Sequence, residues 1–169
     1  DPAPFVFAHR LADCRASLAA IRPYVDRFPV VIVSLAWTRY ERTEELFAEV
    51  KATVERLSRA GKQVVLLGRV PEMPGYDRRC REKALRYPGL ECPKTTSAVL
   101  PLNAAMNAQL AAFAAATPNV AYYDVTDALC RDGVCSAFGP DGEPRYYDSG
   151  HLAMEASLAL GRAIVERSG

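Results

Sequence analysis

Three observations predict an α/β fold built on a parallel sheet. "VVIVSLAW" and "KQVVLLGRV" are continuous apolar runs of strand length with no polar alternation, the pattern of strands covered on both faces. An amphipathic helical stretch separates them, and "VAYYDV" supplies a third strand after another helical stretch, so the elements alternate in the order that packs helices on a parallel sheet. The length, 169 residues of which 50% are hydrophobic, suits one domain with a single core.

The elements follow in order. After an extended start with Pro2 and Pro4, Asp13 is placed to cap a helix over residues 14–24, with Leu18, Ile21 and Val25 on one face. Pro29 precedes the first strand, near residues 30–35. In the next helix Glu44 and Glu45 favour the N-terminus, Leu46, Phe47, Val50, Val54 and Leu57 form the apolar stripe, and Gly61 is the stop. The second strand lies at 64–67. Residues 71–100 contain Pro71, Pro74, Pro88 and Pro93 and read as a long excursion with a short helix around 78–86; long loops in compact domains tend to be functional. Leu102, Met106, Leu110 and Phe113 mark another helix, a third strand covers 120–124, and Leu152, Ala156, Leu160, Ala163 and Ile164 face inward from the last helix. The first strand is too apolar for a sheet edge, so a further strand is expected beside it, and "PFVF" at 4–7 is a poor partner because of its prolines.

Charge and composition exclude several classes. With 21 basic against 20 acidic residues and no run of one sign, the chain lacks the electrostatic footprint of a nucleic-acid binder. No apolar stretch approaches the length of a membrane span. The chain begins with Asp1 rather than Met, which reads as a processed or trimmed piece of a longer protein.

Five cysteines, with no CxxC pair and only His9 and His151 beside them, make a poor zinc set, and no cofactor or metal is expected. Disulfides fit better. "CRDGVC" places Cys130 and Cys135 across a tight turn, where a bridge would be worth about 2 kcal/mol, and Cys80 with Cys92 would close a longer loop worth roughly 3 kcal/mol. Such bridges imply an oxidising compartment; free, buried cysteines in a cytosolic protein are the alternative. Cys14 is left over.

The chemistry-bearing stretch is "YYDSGHLAMEAS". If Asp148 caps the last helix, His151 is its third residue, and both side chains project from the first turn. The carboxylate then accepts the proton on Nδ1 and leaves Nε2 as a base, the orienter-and-base relation of acyl-transfer enzymes. A helix cap beside an ordinary histidine is the plain alternative. Trp37 is core or pocket wall, Arg69 either reaches the mouth of the site to bind an anion or forms a salt bridge, Asp124 and Asp127 read as turn and cap residues, and Tyr146 and Tyr147 wall a cleft or simply pack.

"RYYDSGHLAMEASLALGRAI" resembles the final block of the SGNH (GDSL-like) hydrolase family. "VVIVSLAWTRY", the proline-rich middle with its cysteines and "VAYYDVTDALCRDGVC" resemble, more narrowly, the periplasmic SGNH domain attached to membrane-bound acyltransferase-3 proteins, which acylate surface polysaccharides. The resemblance runs over residues 10–167. It implies a three-layer, flavodoxin-like parallel sheet of order 2-1-3-4-5 with catalytic Asp148 and His151; Trp37, Tyr40 and, from its place after the second strand, Arg69 are the expected substrate-binding residues. Its partners would be a polysaccharide acceptor and a membrane-embedded acyltransferase domain in the same protein, on the periplasmic or extracellular face of the inner membrane. Two departures stand out: Ala153 and Ala156 replace the family's Ser or Thr and Gly, and no Gly-Asp-Ser or Gly-x-Asn block is present. A single truncation, removing an N-terminal strand with the nucleophilic serine, would explain the uncovered first strand, the absent nucleophile and the odd cysteine. The expectation is a single, N-terminally truncated SGNH-like domain over residues 1–169 that transfers an acyl group, acetyl first, to a carbohydrate hydroxyl. An O-acetylesterase of the same fold, a non-catalytic carbohydrate-binding domain and a thiol enzyme using Cys14 are the rivals.

Overall fold

Four consecutive buried residues, Val64 to Leu67, make strand β2 (Gln63–Leu67) the centre of a parallel sheet. Its neighbours are β1 (Val30–Val33) and β4 (Val120–Tyr123), in the order β1-β2-β4, with Val30 paired to Gln63 and Val64 to Val120. The computed structural model describes residues 5–37, 43–92, 95–97 and 101–168. The chain divides into two compact units, Asp1–Leu67 with Ala105–Tyr123, and Gly68–Ala104 with Asp124–Gly169.

The first unit holds the parallel sheet. Helix α2 (Thr43–Arg59) presents Phe47 and Val54, and α4 (Pro101–Ala116) presents Met106, Leu110 and Ala114, to a core that includes Val64, Leu66 and Trp37. These positions recur at the helical spacing anticipated from the sequence, because burying one stripe of each helix removes the most apolar area from water. α2 ends where Gly61 adopts φ 78°: the Gly61 N–H donates to Ser58 O (2.9 Å) and the Lys62 N–H to Leu57 O (3.1 Å), which satisfies carbonyls the helix leaves unpaired. Lys62 then donates from Nζ to Asp26 O (2.7 Å) and Phe28 O (2.8 Å), placing a cation on the C-terminal carbonyls of α1 (Leu11–Arg27).

Two sequence expectations are corrected in this unit. The first strand is not covered on both faces: β2 is its only partner among the described residues, and Val30 and Ile32 are 46% and 47% exposed. Helix α1 starts at Leu11 and buries none of its residues, leaving Leu18, Ile21 and Tyr24 in solvent. Position decides this, since the same apolar composition is buried in β2, which has a strand on each side. Residues 5–7 form no strand beside β1.

The second unit contains a sheet that the sequence pattern did not announce. Strands β3 (Thr95–Ser97), β5 (Cys130–Arg131) and β6 (Val134–Ser136) form an antiparallel sheet in the order β3-β6-β5. Asp132 and Gly133, both with positive φ (52° and 75°), make the two-residue turn of the β5–β6 hairpin, in which Cys130 and Cys135 are directly paired and disulfide-bonded. The Cys80–Cys92 bridge joins the short helix α3 (Cys80–Ala84) to the loop before β3. A separate core of Met73, Tyr76, Cys135, Ala137 and Tyr146 fills this unit, with Tyr76 edge-on to both Phe138 and Tyr146. Asp124 accepts from the Thr126 backbone N–H (2.9 Å) and hydroxyl (2.6 Å) at the start of α5 (Thr126–Leu129), the turn role expected of it. Helix α6 (Met154–Ser168) closes the unit and buries Leu160 and Ile164.

Trp37 is the sole tryptophan and lies wholly inside the first core, so its fluorescence reports that core directly. Leu110→Ala is expected to cost about 3 kcal/mol through lost burial and the cavity left behind. Urea unfolding followed at Trp37 should show the midpoint falling with the slope unchanged.

Candidate active site

The last helix begins later than the sequence suggests. α6 starts at Met154, so Asp148 is not its N-cap, and His151 precedes the helix instead of forming its third residue. The reason lies in the backbone of 145–153. Tyr146 pairs with Leu152 in an antiparallel bridge, the Tyr147 N–H donates to His151 O (2.8 Å), and the Ala153 N–H donates to Arg145 O (2.8 Å). These bonds make a narrow hairpin with Asp148, Ser149 and Gly150 at its tip. The Met73 N–H holds the tip through Ser149 O (2.7 Å).

Asp148 caps that tip. Its Oδ1 accepts the backbone N–H groups of Gly150 and His151, each at 2.8 Å, and the His151 Nδ1–H donates to the same carboxylate, 2.8 Å from Oδ2 and 2.9 Å from Oδ1. The Gly150 N–H, followed by the imidazole, holds the Asp148 carboxyl below its ordinary value of 3.8. The carboxylate fixes the tautomer: with the proton on Nδ1, Nε2 carries the lone pair. The His151 side chain is 78% exposed, and its Nε2 bonds to no described residue. An oriented imidazole with a free, solvent-facing nitrogen can take a proton from a hydroxyl brought to it.

The two tyrosines before the pair divide sharply. Tyr146 is completely buried and burial pushes its hydroxyl up to about 12, whereas Tyr147 is 52% exposed. Extended backbone turns successive side chains to opposite faces, so one tyrosine packs and the other faces solvent.

The structure places the other residues singled out from the sequence as follows. Arg69 is buried and ion-paired with Glu72 in the second unit. Trp37 is buried in the first unit, where its indole N–H donates to Leu67 O (3.0 Å). Tyr40 lies outside the described residues. Cys80, Cys92, Cys130 and Cys135 form the two expected disulfides, and Cys14 carries none. The Ser136 hydroxyl accepts from the Phe138 N–H (3.2 Å). Among the described residues no three His, Cys, Asp or Glu side chains converge as a metal site, and no helix is long and apolar enough to cross a membrane. Sequence reasoning missed the Gly150 N–H as a partner of Asp148; the glycine two residues after an aspartate is the signal of such a turn.

Comparison with known proteins agrees with the fold. Residues 3–166 match the model of the SGNH domain fused to AT3 domains. The solved periplasmic domain of a lipopolysaccharide acetyltransferase from Salmonella ser. Paratyphi A superposes with a TM-score of 0.60 at 16% identity, covering 90% of this chain. This chain spans 60% of that one. No curated protein gives a significant match.

Since Asp148 is held below its unfolded value, it stabilises the fold above the ordinary carboxylate range, and that contribution is lost as pH falls through the lowered value. Asp148→Asn should therefore flatten the acid limb of a melting-temperature profile below about pH 4 while leaving the slope near neutrality unchanged.

Proposed function

The chain belongs to the family of SGNH domains fused to AT3 domains, and from that membership we propose that it is the periplasmic part of a membrane-anchored O-acyltransferase. It moves an acyl group, acetyl first, onto a carbohydrate hydroxyl. The observation that carries this reading is the Asp148–His151 pair, with Nδ1 held by the carboxylate and Nε2 free. Likeness of fold to the periplasmic domain of a lipopolysaccharide acetyltransferase supports the choice of acyl group and acceptor class.

In the proposed mechanism a serine supplied by a segment N-terminal to this sequence attacks the acyl carbonyl. His151 Nε2 takes the serine proton, and Asp148 stabilises the imidazolium that forms. The tetrahedral intermediate collapses as the proton passes to the leaving group. A sugar hydroxyl, deprotonated by the same nitrogen, then attacks the acyl-serine carbonyl, and the serine oxygen leaves as it takes that proton back from His151. Water in place of the sugar would give an esterase. Two observations support a serine outside this sequence: no described hydroxyl bonds to His151 Nε2, and β1 offers an open apolar edge of the kind a further parallel strand covers. Trp37 and Arg69, given their burial, are assigned to packing and to an internal ion pair rather than to substrate contact.

The test uses the full-length protein and a fluorophosphonate probe that labels activated serines. Labelling and acyl transfer are expected in the wild type and should fall by about 10⁴-fold or more in His151→Ala, with a large loss also in Asp148→Asn. Labelling that persists undiminished in His151→Ala would remove the histidine from the mechanism.

A further inference from the structure

Beside the hairpin that carries Asp148 and His151 lies a cation with no acidic partner among the described residues. The Arg78 guanidinium carbon sits 3.8 Å from the centroid of the Tyr147 ring, and Tyr147 directly precedes Asp148 and bonds through its N–H to His151 O. Tyr147 and Arg78 are both exposed, so the stack lies at the surface, open to a ligand. The charges around it are already committed: Asp77 takes the Lys83 ammonium and the Arg79 backbone N–H, and Arg79 pairs with Glu82. Arg78 has no carboxylate within 4.0 Å among the described residues.

The turn that holds Arg78 is fixed. Asp77 accepts from the Arg79 N–H through its side chain and from the Cys80 N–H through its carbonyl, both at 2.9 Å, and Cys80 is tied to Cys92. Arg78 also borders a cavity of about 260 Å³, with Tyr76, the Lys83-paired Asp77, the Cys80–Cys92 bridge, Phe138 and Glu143 on its walls. That volume is near the lower end of small-molecule sites, about 300 Å³, and so suits a single sugar unit. A guanidinium presents a planar fork of donors that matches a carboxylate or phosphate, and a tyrosine face under it keeps the fork oriented.

We propose that Arg78 and Tyr147 form an acceptor subsite that selects a saccharide bearing a carboxylate or phosphate, with the anionic group on Arg78 and the sugar in the adjoining cavity. The assignment rests on the reading of Asp148 and His151 as the acyl-transfer pair, since it places the acceptor beside them. Glu143, on the same cavity wall, opposes the anion and tempers its affinity.

Binding to the full-length protein is measured by calorimetry with two matched pairs of probes, tri-galacturonate against its methyl ester and mannose 6-phosphate against mannose. At low salt at least one charged probe is expected to bind about tenfold more tightly than its neutral partner, the scale of a charge-assisted hydrogen bond, and the pair with the larger ratio identifies the anion. The preference should vanish in Arg78→Gln, survive in part in Arg78→Lys, rise in Glu143→Gln and shrink as salt is added. His151→Ala should keep the preference while losing acyl transfer, which separates this subsite from the catalytic reading. Equal binding within both pairs, or a preference that persists in Arg78→Gln, would overturn the proposal and leave the stack as surface packing.

Discussion

One carboxylate organises the hairpin that presents His151. Asp148 receives two backbone N–H groups from the loop that follows it and the imidazole N–H of His151, so the same two oxygens set the backbone of the tip and the direction of the base. The partners are three positions apart in sequence. A base oriented by so local a contact needs no long loop to close before it is in place, so little ordering entropy is spent on its direction.

The parallel sheet shows how position overrides composition. β1 and β2 are built from nearly the same residue types, yet β2 buries four residues in a row and β1 leaves every second one half in solvent. The difference is one strand's worth of neighbours. An open edge with apolar side chains is a pairing surface, which soluble proteins ordinarily cover, shorten or charge. β1 has no cover or charge among the described residues, and α1 leaves its apolar side chains exposed as well.

The legible parts of the fold are those with a period. The three strands of the parallel sheet and the stripes of α2 and α4 can be read because buried runs and helical spacing leave a mark in sequence. The antiparallel sheet cannot, since strands of two or three residues are too short to show alternation; only the Cys130–Cys135 spacing hints at its hairpin. The pairing of Asp148 with His151 is legible as a spacing, but the turn that produces it reads in sequence as a helix start. The competing signal is the antiparallel bridge between Tyr146 and Leu152, a backbone pairing that side-chain chemistry does not advertise. Arg78 and Tyr147 meet across a long stretch of chain, and nothing in either neighbourhood announces the other.

The two disulfides fall on one side of the division between the units. All four bonded cysteines belong to the second unit, whose strands are two or three residues long, while the first relies on helix stripes packed on β2. Covalent staples thus reinforce a unit whose strand ladders are short. The unit that carries His151 is the one held by disulfides, so a reducing environment would remove staples from it and none from the parallel sheet of the first unit. Sulfur oxidation is thus a condition of stability for the unit on which Asp148 and His151 stand.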